Sequence, residues 1–164
     1  MYGSRRGFTL IELLIVIAII GILSATVLVS LNQARAKARD VRRLSDIKQV
    51  QTALELYYFD NGSYPVRSSW IGTTPGCYSG PANPNNSIPG LAPTYIPQIP
   101  QETKPAGPSY CYLYRSDGTD YKFMAYYSVE TRVPAPGEPN ARYVSGCGSA
   151  QRTFAVYSEG ARCW

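Results

Sequence analysis

Glu12 is the residue that most needs a chemical account. It is the single charge in residues 8–31, FTLIELLIVIAIIGILSATVLVSL. A carboxylate at such a depth in a bilayer costs on the order of 2.5–3.5 kcal/mol, and groups of this kind serve a purpose and have a partner. A buried carboxylate is tolerated when a cation compensates it, so the chemistry expected here is charge pairing. Catalysis finds no support: the chain has no histidine, no G-x-S-x-G, no glycine-rich phosphate loop and no carboxylates paired at defined spacing. Asp117 and Asp120 flank a turn, where turn chemistry accounts for them. No cofactor is expected. The other reactive groups are four cysteines, Cys77, Cys111, Cys147 and Cys163, separated by 33, 35 and 15 residues. Without a C-x(2–4)-C knuckle they read as two disulfides of an exported domain, not as a zinc site. Three connectivities are open; the expected one is Cys77–Cys111, tying an irregular segment to a strand, with Cys147–Cys163 closing the carboxy-terminal part.

The element that carries Glu12 is long enough to cross a membrane. About 24 residues at about 1.5 Å each span about 36 Å, against a hydrocarbon core of roughly 30 Å. The preceding MYGSRRG holds Arg5 and Arg6 directly against the apolar run, which keeps this end in the cytoplasm and exports the chain beyond Leu31. A cleaved secretory signal is the competing reading, with Ser24-Ala25-Thr26 as a poor cleavage site, but the run exceeds the roughly 7–15 apolar residues of such signals.

From residue 32 to 60 the apolar positions Val41, Leu44, Ile47, Val50, Leu54, Tyr57 and Tyr58 recur at helical spacing. No proline interrupts residues 8–60, so one helix of about 53 residues, about 80 Å long, is expected. Asn61-Gly62 would cap it, with Pro65 just beyond. Arg35, Lys37, Arg39, Arg42, Arg43 and Lys48 crowd its middle, broken only by Asp40 and Asp46. Three readings stay open for that run: a solvated face, contact with anionic headgroups, or ion pairs to neighbouring subunits.

Ten of the 13 prolines fall in residues 61–109, an irregular connection with one short helix expected around residues 92–96. Residues 110–114 and 121–129 alternate as strands around the Asp117-Gly118 hairpin signal, and residues 142–145 and 153–158 are shorter candidates. The 14 tyrosines fall mostly on these strands or the helix face, where packing explains them. The fold class is α+β, a long amino-terminal helix laid on a three- or four-stranded antiparallel sheet.

RRGFTLIELLIVIAIIGIL resembles the amino-terminal signature of type IV pilins and type II secretion pseudopilins. The resemblance implies a leader, residues 1–7, removed by a prepilin peptidase between Gly7 and Phe8, with N-methylation of Phe8. Residues 8–31 would then form the membrane and filament-core half of the helix, residues 32–60 its amphipathic half, residues 61–109 the connection and residues 110–164 the sheet and its disulfide-tied tail. Glu12 would neutralise the Phe8 ammonium in its own chain or a neighbour during assembly. Gly21 would lie in a segment able to unwind, although a proline common eight residues further on in the family is Val29 here. Calcium, held by many major pseudopilins, finds only Asp120, Ser158 and Glu159 as candidate ligands, in no recognisable calcium loop.

The expected function is structural: a homo-oligomeric type IV pilus filament, assembled from the inner membrane by a platform with an ATPase motor and displayed on the cell surface. A type II secretion pseudopilin is the alternative, and a single-pass or secreted adhesive domain the second. The formal charge, +5 for the chain and +3 without residues 1–7, argues only weakly for a polyanion; nucleic acid stays open as the partner of a DNA-uptake filament, but no clustered basic-aromatic motif in the sequence supports it.

Overall fold

The computed structural model describes residues 7–73, 88–102, 110–142, 146–147 and 152–164, at Val29 the backbone alone. Two compact units divide the chain, Met1–Ala36 and Lys37–Trp164. Helix α1, Leu10–Asn61, is the one element common to both.

In the first unit α1 is apolar on all sides through Leu31 but for Glu12, and none of its most hydrophobic stretch is covered by other parts of the chain. A helix of that kind is stable in a medium without water or against apolar neighbours, because it has no polar face to offer solvent.

In the second unit α1 is amphipathic. Ile47, Val50, Ala53 and Leu54 are buried, and Leu44 and Tyr57 pack at the margin. Val41 and Tyr58, expected on the same face, are exposed, at 66% and 42%. The helix stops where Gly62 takes a φ of +72° and donates its N–H to the Tyr58 carbonyl at 2.8 Å, a left-handed cap that glycine adopts without Cβ strain.

Four strands form an antiparallel meander in the order β1 (Arg67–Gly72), β2 (Cys111–Ser116), β3 (Tyr121–Tyr126) and β4 (Phe154–Tyr157). The period of two splits the sheet. Tyr112, Tyr114, Tyr121, Phe123, Ala125, Phe154 and Val156 join the helix in the main core, while Cys111, Leu113, Met124 and Ala155 form a second cluster with Trp70, Tyr126 and Tyr157. The β2–β3 hairpin turns at Gly118, φ +99°, with Asp117 Oδ1 accepting from the N–H groups of Thr119 and Asp120.

Three expectations about elements change. β1 lies in the connection read as irregular, since RSSWIG has too little alternation to signal a strand, and its pairing with β2 carries a bulge. The short helix expected around residues 92–96 is a set of hydrogen-bonded turns, such as Tyr95 N–H to the Leu91 carbonyl at 2.9 Å; Pro93 and Pro97 lack the N–H groups a helix needs. The strand expected at residues 142–145 leaves one bridge, Ala141 to Phe154, and residues 143–145 lie outside the described residues.

Candidate processing and assembly site

Gly7 and Phe8 precede α1 in extended chain, and the Phe8 side chain is 84% exposed. Thr9 is the N-cap. Its hydroxyl oxygen accepts from the Glu12 N–H at 3.2 Å, and Glu12 Oε2 accepts from the Thr9 N–H and the Thr9 hydroxyl, both at 2.8 Å. This reciprocal pair is a capping box, the T-x-x-E arrangement that satisfies two donors a helix start would leave bare. Attention to charge alone passes over Thr9, although T-L-I-E ahead of an apolar run is a readable signal. The box fixes the Glu12 carboxylate in the first turn of α1, one turn from the Phe8 nitrogen that cleavage would turn into a cation. Gly21 is helical, and a Cβ built there meets nothing within 4 Å.

The basic run is divided by the fold. Arg43, 3% exposed, donates from Nε and Nη2 to both Glu102 oxygens at 2.8 Å, and from Nη1 to Asp40 at 2.7 Å and Glu130 at 2.9 Å. Arg39 clasps Glu130 through two bonds of 2.7 and 2.6 Å. Asp40 also accepts from the N–H groups of Glu130 and Thr131 and from the Thr131 hydroxyl. Burial by itself would lower the Arg43 pKa; the hydrogen bonds to Glu102 and Glu130 reverse this and hold it above the ordinary value. Fork-to-carboxylate geometry makes arginine the residue suited to such a site. Glu102 and Glu130 stand 59 and 87 residues from Arg43, so no local spacing could reveal them. Arg42 lies 3.9 Å from Asp46, and Arg35 and Lys37 are exposed. A solvated face therefore describes only part of the run.

On the sheet face turned away from α1, Cys147 and Cys163 form a disulfide with a Cα separation of 5.0 Å. Cys111 is buried at the start of β2; the expected Cys77–Cys111 bridge involves Cys77, which lies outside the described residues. The candidate calcium ligands come together in part. Asp120 Oδ1 accepts from the Ser158 hydroxyl at 2.6 Å and the Gly160 N–H at 2.9 Å, and the Ser158 oxygen accepts from the Tyr121 N–H at 2.9 Å. Glu159 instead pairs with Arg162. Donors aimed at Asp120 Oδ1 hold the short 3-10 turn Glu159–Ala161 against the hairpin. No group of three or more candidate metal ligands occurs among the described residues.

A capped apolar helix with one carboxylate in its first turn, continued into an α+β body, defines a class of membrane-anchored filament-type subunits. The prokaryotic N-terminal methylation motif matches residues 3–28. The chain is 32% identical over 116 residues to type II secretion system core protein G of Vibrio cholerae, covering 70% of this chain and 74% of that protein. With the core protein G of Dickeya chrysanthemi identity is 33% over 102 residues, 62% and 65% of the two chains. With the type IV wide pilus major component of Thermus thermophilus it is 42% over 85 residues, 52% and 64%. Several matches to core protein G span under half of the relative, such as 44% of the Klebsiella michiganensis protein. No solved structure matches. The chain belongs to the family of type IV pilins and type II secretion pseudopilins.

Proposed function

We propose that this chain is a structural subunit of a helical filament, with no catalytic role. It would be made as an inner-membrane precursor with its amino terminus inside, cut by a prepilin peptidase between Gly7 and Phe8, N-methylated on Phe8, and assembled by a platform with an ATPase motor. The observation that carries this is the first unit: an all-round apolar helix that the methylation motif runs into, uncovered by its own chain, with one carboxylate in its first turn. Moving from lipid to a bundle of identical helices changes the exposure of such a surface little, so extraction needs external work and assembly needs registration. Glu12 supplies the registration by meeting the Phe8 ammonium of its own chain or a neighbour. The pilus and pseudopilus readings stand about level: the longer cover of the Vibrio cholerae core protein G supports one, and the higher identity to a wide-pilus component supports the other.

The test is an intact mass with amino-terminal sequencing of the membrane and surface forms, together with electron microscopy of sheared material. N-methylphenylalanine at Phe8 and thin filaments are expected. A start near Thr26, or an unprocessed Met1 on a monomeric surface protein, would replace this reading with a secreted or anchored domain.

A further inference from the structure

The sheet face turned away from α1 carries a row that crosses all four strands. Trp70 stands on β1, Arg115 on β2, Lys122 directly opposite it on β3, and Tyr157 opposite Lys122 on β4. Arg115 Cζ lies 4.7 Å from the centroid of the Trp164 ring and 6.0 Å from that of Trp70. Lys122 Nζ lies 4.8 Å from the Tyr157 ring, and Arg142 Cζ 5.0 Å from that of Tyr126. Like charges opposite one another on a sheet repel, so this cluster costs stability, and aromatic rings offset part of that cost.

Arg115 is the open member. Two indoles flank its guanidinium, yet among the described residues that group makes no hydrogen bond and no ion pair. Lys122 is fully buried and donates to the carbonyls of Arg162 and Trp164, so it is not open to direct contact. Glu159, the acid beside Tyr157, is paired with Arg162. The face therefore presents a planar fork of donors rimmed by half-buried rings.

A planar donor fork suits a phosphate, and half-exposed rings suit the π-face of a base. A carboxylate of an acidic peptide would pair with Arg115 and leave the rings unmatched. A duplex would offer phosphates and keep its base faces hidden. We propose that this face binds single-stranded nucleic acid, with a backbone phosphate on Arg115 and unpaired bases against Trp70, Trp164 and Tyr157. Nothing in this depends on whether the chain polymerises.

The two tryptophans of the protein both flank Arg115, so intrinsic fluorescence reads this face. The full chain in a neutral detergent is titrated with an oligothymidylate of about a dozen nucleotides, within the range a single aromatic platform engages. Saturable quenching at low salt is expected, weakening as salt rises by about 0.7 log unit of affinity per decade of salt for each phosphate contacted. Arg115→Gln should weaken binding at least about tenfold with an unchanged melting curve, and Arg115→Lys should fall between. Absence of quenching, equal affinity in Arg115→Gln, or equal binding of a duplex or of polyglutamate would each overturn the assignment.

Discussion

Glu12 and Arg43 are both charges set among apolar surroundings, and the fold treats them in opposite ways. Glu12 is held by two donors of one neighbouring residue and keeps acceptor capacity for the cation that the proposed cleavage would create at Phe8. Glu12→Ala is therefore expected to insert into the membrane at least as readily and to lose filament assembly, read as precursor retained in membranes with no sheared fibre. Normal filaments from that variant would remove the registration role. Arg43 is closed in by three carboxylates of its own chain. Arg43→Leu leaves Asp40 and Glu102 buried without their cation and should cost about 3–5 kcal/mol, read as a lower urea midpoint for the full chain in detergent. The pH profile is set by buried groups of the second unit. Burial, with Arg142 adding to it, pushes Lys122 from 10.5 down to about 7. Between those values the unfolded chain holds a proton that the folded chain lacks, so stability rises with pH there. Tyr112, Tyr114 and Tyr121 are shifted upward, chiefly by burial, so above about pH 10 the unfolded chain loses protons the folded chain keeps and stability falls. A thermal midpoint that climbs above neutrality and drops beyond about pH 10 is expected, and Lys122→Met should abolish the climb alone.

At the scale of elements, the two faces of the sheet are secured by different means, and the far one only in part. The core side packs α1 against alternate tyrosines and phenylalanines of the strands. On the far side the carboxy-terminal segment is held by the Cys147–Cys163 bridge, by Lys122 donating to two of its carbonyls, and by Asp120 holding Ser158 and Gly160. The bridge closes residues 16 apart in sequence, a loop for which chain-entropy arguments give about 3 kcal/mol. The pair Cys147→Ser and Cys163→Ser should lower stability by about that amount while leaving α1 intact, seen as a reduced melting temperature with unchanged helical circular dichroism.

At the scale of the whole molecule, one continuous helix has two solvents. Residues up to Ala36 form a unit whose helix has no polar face through Leu31, and residues from Lys37 form a unit with its own core. Replacing Ile19 with Asp in the uncovered part should block insertion, at about 2.5–3.5 kcal/mol for the charge, without changing the melting of the second unit. The assay is membrane fractionation beside a thermal melt of detergent-solubilised chain.

The sequence alone determined what depends on neighbours within a few residues. The apolar run around Glu12, the helical period of Leu44, Ile47, Val50 and Leu54, the stop at Gly62 and the Asp117-Gly118 turn are all local, because helix, turn and membrane affinity depend on short spacings. Tertiary structure decided what joins distant residues: Arg43 with Glu102 and Glu130, the row Trp70, Arg115, Lys122 and Tyr157, and β1 inside a proline-rich stretch. Such pairs carry no periodicity, since loop closure across tens of residues varies little with length and leaves no mark in the spacing. The basic run shows both sides. Its position was plain in the chain, but which arginines it turned inward was set only when strands brought carboxylates to meet them.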